Sequence, residues 1–271
     1  SVNGQTGAVT IAVPKKTSEL TNDSGFITSA DIPTPTYKKV SGELPTSGWV
    51  TPDEGWKQNT LPANTDWKSV TYGDGKYVAV TFYSDKGAYS TDGVTWTEMS
   101  MPAVDSWIVT YGNGKYVALA SGNTKGAYST NGITWTEMTL PASRSWNGLT
   151  YGNGKFVAVA ASSDKGAYST DGVTWTEMSM PTSRDWASVT YGDGKFVAVV
   201  VDSLYGAYSA DGISWTEMSM PASRIWRRVA YGNGKFVAVG AGSDKGAYST
   251  DGISWTEMSM PTSRSWIGLT Y

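Results

Sequence analysis

Six arginines stand where their spacing suggests chemistry. Arg144, Arg184, Arg224 and Arg264 each lie two residues before a tryptophan, and Arg227 and Arg228 directly follow Trp226. A guanidinium presents paired donors in a planar fork, so an arc of such groups can hold a carboxylate or a phosphate. Lys68, which follows Trp67, and the loop residues Tyr83 and Tyr205 are weaker candidates for the same work. The tryptophans themselves (Trp67, Trp107, Trp146, Trp186, Trp226 and Trp266) offer aromatic faces suited to sugar rings. Both groups also have a plain structural reading: the tryptophans as packing between repeated units, the arginines as a solvated or ion-paired rim.

Much other chemistry is excluded by composition. The chain has 271 residues, no cysteine and no histidine. Disulfides, thiolate nucleophiles, Cys-ligated zinc and the commonest general base are therefore absent. The carboxylates that recur, Glu98, Glu137, Glu177, Glu217 and Glu257, occupy one equivalent position per repeat. A glycosidase needs two carboxyl groups in different environments, and repetition argues for structure. Neither a phosphate-binding loop nor a metal-ligand cluster is evident. The expectation is a chain that is not an enzyme and uses no cofactor or metal. A net charge of −3 creates no overall field for nucleic acid. No apolar run reaches the roughly 18–20 residues of a membrane span, so membrane insertion is not expected, and no secretion signal opens the chain.

The elements that position these residues are repeats. The tryptophans that open each unit are spaced by 40, 39, 40, 40 and 40 residues, the period of a four-stranded propeller blade. In the unit from Trp146 to Pro181, Trp146–Tyr151 reads as a first strand and Gly152-Asn153-Gly154 as a tight hairpin turn. Lys155–Ala161 reads as an apolar second strand, Ser162–Lys165 as a loop, and Gly166–Thr170 as a third strand. Asp171-Gly172 forms a turn and Thr174–Met178 a fourth strand. The Pro181 stretch then leads onward outside the ladder, where a missing N–H does no harm. The fold expected is all-β: a β-propeller of six four-stranded blades over residues 37–271. Five units are complete. The sixth takes its first strand from the C-terminal SWIGLTY, and Tyr37–Ser41, Gly48–Thr51 and the strand beginning at Trp56 complete it. This N-/C-terminal seam hides strand edges. Five blades with loose ends is the alternative.

In a propeller, the loops after second and fourth strands share one face. That face collects the segments that differ between copies: FYSDK, SGNTK, SSDK, DSLY and GSDK after the second strand, and ANTD, AVDS, ASRS, TSRD, ASRI and TSRS before the tryptophan. Varied loops on a rigid frame suit a binding surface. The opposite face carries the nearly invariant Gly-Asn-Gly and Asp-Gly turns.

Two resemblances follow from particular residues. STDGVTW at Ser169–Trp175, with its copies, resembles the Asp-box of sialidase-like propellers but lacks one residue between Asp and Gly. A structural role is expected for it: Asp accepting backbone N–H groups, Gly at positive φ, and Trp packing on a neighbouring blade. A calcium site is the sharper alternative, disfavoured because each turn offers a single carboxylate. At the N-terminus, VNGQTGAVT (Val2–Thr10) and KTSELTNDSGFIT (Lys16–Thr28) resemble phrases of phage and prophage tail-fibre proteins. That resemblance implies a virion or tailocin tail component acting at the bacterial surface. Residues 1–36 would be an extended stalk that wraps a homotrimer and contacts other tail proteins. The function expected is non-enzymatic receptor binding, to a bacterial surface glycan or other anionic polymer. A sialidase-like glycan-degrading enzyme, a purely structural tail component and a free lectin are the alternatives.

Overall fold

The computed structural model describes residues 60–62, 65–82, 84–102 and 106–270. The expected stalk (1–36), the candidate seam strands from Tyr37 to Trp56, and Tyr83 lie outside the described residues.

The array is antiparallel β throughout, and no helix occurs among the described residues. Five units of four strands follow one another. Unit 1 holds β1 (Asp66–Gly73), β2 (Lys76–Phe82), β3 (Lys86–Ser90) and β4 (Thr97–Ser100). Unit 2 holds β5 (Trp107–Gly112), β6 (Lys115–Ala120) and β7 (Asn123–Ser129), and ends in β8 (Thr136–Gly152). That long strand also opens unit 3: its first half pairs with β7, its second with β9 (Lys155–Ala161), which β10 (Ser163–Ser169) and β11 (Thr176–Arg184) follow. A seven-stranded sheet is thereby two four-stranded units sharing one strand. Units 4 and 5 are β12 (Trp186–Gly192), β13 (Lys195–Val200), β14 (Ser203–Ser209) and β15 (Thr216–Arg224), then β16 (Trp226–Gly232), β17 (Lys235–Gly240), β18 (Ser243–Ser249) and β19 (Thr256–Arg264).

Local chemistry explains these elements. In the first hairpin of unit 3, Asn153 has φ 46° and Gly154 φ 73°, the paired left-handed residues of a turn whose twist matches the strands. The second strand, FVAVA in β9, is apolar without alternation because both its faces are buried. Phe156, Ala158 and Ala160 enter a core shared with unit 2, while Val157 and Val159 enter one shared with unit 4. Each core thus spans two units, and the array coheres through its side chains, since no ladder joins β11 to β12 or β15 to β16.

Other contacts lock the units together. A Cβ on Gly152 would fall 2.0 Å from Tyr191 Cγ, so the first strand ends flat against the next unit's tyrosine; Gly73, Gly112 and Gly192 repeat this with Tyr111, Tyr151 and Tyr231. Three of the Trp-Thr-Glu-Met motifs reach back as well, the indole N–H of Trp135 donating to Met99 Sδ at 3.4 Å, that of Trp215 to Met178 at 3.3 Å and that of Trp255 to Met218 at 3.3 Å.

The Asp-Gly turn behaves as a structural turn. Asp171 Oδ1 accepts from the N–H groups of Val173 and Thr174 at 2.8 Å each, and the Ser169 hydroxyl accepts from Gly172 N–H. Strand boundaries differ from expectation, most at two places. The third strand begins at Ser163 rather than Gly166, and β11 runs on through Pro181 to Arg184. Pairing jumps from Lys165↔Ser179 to Ser163↔Arg184. Pro181 occupies that irregularity, where no ladder donor is required.

Candidate functional site at the channel opening

The first strands β1, β5, β8, β12 and β16 stand side by side around a small central cavity of about 160 Å³, which Ser69, Val109, Leu149, Val189, Val229 and Leu269 help to line. Four of them share an irregularity. Pairing steps from Trp67 to Ser69, from Trp146 to Gly148, from Trp186 to Ser188 and from Trp226 to Arg228. Each step passes over one extra residue: Lys68, Asn147, Ala187 and Arg227. In unit 2, Trp107 and Ile108 pair with Ala120 and Leu119 in consecutive steps, so there is no bulge. The residue missing after Trp107, which shortens one spacing to 39, is therefore the bulge itself.

A bulge re-aims a side chain without disturbing the rest of the strand. Here all four bulge residues line one cavity of about 350 Å³. Its other walls are Arg228, Val201 and Ala241 after the second strands of units 4 and 5, and Ser265 and Ile267 beyond β19. These are the segments that vary between copies, so the opening lies on the variable face.

Three of its side chains are cations. The Lys68 ammonium donates to Ser106 Oγ at 2.7 Å and lies 4.7 Å from the Phe82 ring centre. Burial lowers its pKa, and the Arg228 charge lowers it further. Burial also lowers the pKa of Arg228, followed by repulsion from Arg227. Arg228 Nη1 donates to the Arg227 carbonyl at 2.9 Å. No carboxylate lines the cavity, and among the described residues none lies within ion-pair distance of these three cations. Solvent-facing positive charge that repels itself is a prepared place for an anion.

The remaining arginines do different work. Arg144, Arg184 and Arg224 reach the next unit's fourth strand, pairing with Glu177, Glu217 and Glu257 at 2.7, 2.8 and 2.6 Å. Arg184 also stacks on Tyr205, 4.6 Å from its ring centre. These three are struts between units: in each, Nη2 is held by the glutamate and Nη1 donates to a serine hydroxyl, Ser163, Ser203 or Ser243. Where the position two before the tryptophan is Thr65 or Asp105, the following Glu turns to its own third strand: Glu98 pairs with Lys86 and Glu137 with Lys125. With the strut present, Lys165 and Lys245 donate to Ser179 and Ser259 instead. Arg264 is exposed at the end of β19.

The tryptophan platform does not survive. Trp107, Trp146, Trp186 and Trp226 are at most 1% exposed, enclosed in the inter-unit cores, so they show no face to a sugar. Trp67 and Trp266 are half-buried. Trp67 lines a separate, mainly apolar cavity of about 280 Å³ with Leu61, Val70 and Trp96. Asn147 and Ser265 were not foreseen as lining residues; the 39-residue spacing was the signal that a bulge position existed.

Residues 75–129, 154–192 and 234–266 match the family described as LRR adjacent. No curated protein matches the chain. Among solved structures, virginiamycin B lyase from Staphylococcus aureus is similar at 19% identity and TM-score 0.67, over 74% of this chain and 72% of that one. The structure of YCF48 bound to D1 peptide is similar at 17% identity and TM-score 0.59, over 76% of this chain and 71% of that one. A nidogen/laminin complex gives 9% identity and TM-score 0.55, over 68% and 75%. The fold is thus propeller-like. The expectation that the chain is not an enzyme is overturned, because lyases are built on this same frame. Its reasoning failed physically: repetition of the outer-strand glutamates bears on the frame and excludes nothing at the unrepeated bulge positions lining the channel.

Proposed function

We propose that this protein attaches to an anionic polymer of the bacterial surface through the channel opening, as the receptor-binding part of a phage or tailocin tail fibre. The observation that carries the reading is the convergence of Lys68, Arg227 and Arg228 in one cavity without a carboxylate. Surface polymers repeat their charges, and several such modules on one fibre multiply a modest single-site affinity. The tail setting rests on the Val2–Thr10 and Lys16–Thr28 phrases, with residues 1–36 as the trimeric stalk.

In this reading the propeller has six blades. Residues 265–270, expected as a first strand, form none in the structure, yet Leu269 lies in the central cavity at the place that Val109, Leu149, Val189 and Val229 take in their own first strands, which supports this stretch as the sixth blade's contribution to the channel. Val70 is 60% exposed where Val109, Val189 and Val229 are 5–6%, which supports a further blade in front of unit 1.

The test is binding of the full chain to fractionated bacterial surface polymers, with an Arg227→Gln/Arg228→Gln variant beside it. Anionic fractions should retain the protein, and the variant should lose roughly tenfold or more in affinity, as expected when charge-assisted hydrogen bonds go. Unchanged binding by a folded variant would move the site elsewhere.

A further inference from the structure

The arrangement of the cavity says more about its ligand than that it is negative. We propose that the opening takes the dianionic phosphate monoester of a single sugar unit, in preference to a carboxylate, a sulfate ester or a phosphodiester. This rests on the reading of the opening as an anion site, and it names the anion.

Lys68 comes from β1, and Arg227 and Arg228 come from β16, so the cations approach from separate strands. Arg228 depresses the pKa of Lys68, and Arg227 that of Arg228. A bound anion attracts all three cations at once, and each attraction scales with the ligand's charge, so a dianion gains about twice the Coulomb energy of a monoanion and offsets more of their mutual repulsion. Geometry points the same way. A phosphate monoester has three terminal oxygens to share among three donors, whereas a carboxylate has two and a phosphodiester two non-bridging ones; a sulfate ester matches it in oxygens and differs in charge alone. The guanidinium fork suits paired contact with such oxygens and the ammonium a single one.

Size and lining set the rest of the ligand. A volume of about 350 Å³ is near the lower end of small-molecule sites, which run from roughly 300 to 1,000 Å³. One sugar ring with its phosphate fits there, and a run of several sugars does not. Asn147 and Ser265 provide hydrogen-bonding partners for hydroxyl groups, and Ala241 and Ile267 an apolar wall for a ring face. The phosphate is therefore a terminal or pendant group on the polymer.

The experiment is calorimetric titration of the full chain with glucose 6-phosphate, glucose 6-sulfate and glucuronate, at about pH 7.5 and about pH 5. The phosphate's second ionisation lies near pH 6, so the ester passes from dianion to monoanion between those conditions while the sulfate stays monoanionic. The charged groups facing the cavity are Lys68, Arg227 and Arg228, with no titrating carboxylate among its lining residues. At the higher pH the phosphate should bind roughly tenfold or more tightly than the sulfate and the glucuronate. At the lower pH phosphate and sulfate should agree within about twofold, because their charges are then equal. Lys68→Gln and Arg228→Gln, each checked for an unchanged melting temperature, should shrink the phosphate-to-sulfate ratio. Equal binding of phosphate and sulfate at the higher pH overturns the dianion assignment and leaves an anion site of lower selectivity. Failure of all three probes to bind overturns the anion site itself.

Discussion

Replacing Gly152 by alanine tests how the units hold together. The added Cβ would sit 2.0 Å from Tyr191 Cγ, whereas ordinary contact begins at 3.4 Å, so something must move by the difference, 1.4 Å. The obstacle is the root of a ring wedged against a backbone, so a flexible tip cannot simply swing away. Overpacking of a tight core costs about 1–3 kcal/mol. Displacing Tyr191 also disturbs its tilted contact with Phe196, at 4.7 Å between centroids, worth about 0.5–1.5 kcal/mol. We expect a loss near 3 kcal/mol, or roughly 6–12 °C in melting temperature for an array of this length. Gly154→Ala is the internal control: its φ is +73° but nothing lies within 4 Å of the added Cβ, so backbone strain alone, about 1 kcal/mol, is expected. Urea unfolding of both variants measures the contrast. A Gly152→Ala protein as stable as Gly154→Ala would refute the packing account. In a cycle with Tyr191→Ala, the two substitutions should be less costly together than their sum.

Three further outcomes follow. At Asp251, the N–H groups of Ile253 and Ser254 hold the carboxyl at about 2, against an ordinary 3.8; at Asp171 and Asp211 burial pushes upward, but the turn's N–H groups prevail and bring both to about 2. These depressed groups stabilise the fold above about pH 4 and lose that contribution as pH falls toward 2. Asn131 makes the same turn without titrating, so the triple Asp→Asn variant should show a shallower fall in melting temperature over that range; an identical slope would contradict the assignment. Arg184→Ala removes an ion pair with side chains 23% and 38% exposed together with the Tyr205 stack, for about 1–2 kcal/mol in all. Polymer binding by that variant should be unchanged, and a loss would mean that the struts touch ligand. Truncation after Ser265 removes Trp266 and Leu269 and should lower the melting temperature; no change would favour five blades with loose ends.

The repeat period, the hairpin turns and the two-sided burial of the second strand were all legible, because each follows from local patterning: positive-φ pairs such as Asn153-Gly154, and an unbroken apolar run such as Phe156–Ala160. The variable face was legible too, since segments such as Ser162–Lys165 differ between copies. What escaped was register. A bulge sets two residues opposite one, and only the pairing shows that the residue after the tryptophan (Lys68, Asn147, Ala187 and Arg227) stands outside the ladder. Partner choice also escaped. Arg144 and Glu177 are 33 residues apart and meet only when consecutive units stack, so the arginine arc read from spacing divides into struts (Arg144, Arg184, Arg224) and channel cations (Arg227, Arg228). The buried tryptophans misled for a related reason, since a residue repeated in every copy serves the frame that every copy shares.

The most direct test of the cavity is to locate a bound oxyanion. Crystals of the full chain soaked in tungstate should show an anomalous peak between Lys68, Arg227 and Arg228, and the peak should vanish in Arg228→Gln crystals. An empty cavity with peaks only along the outer rim, as at Arg264, would contradict the account.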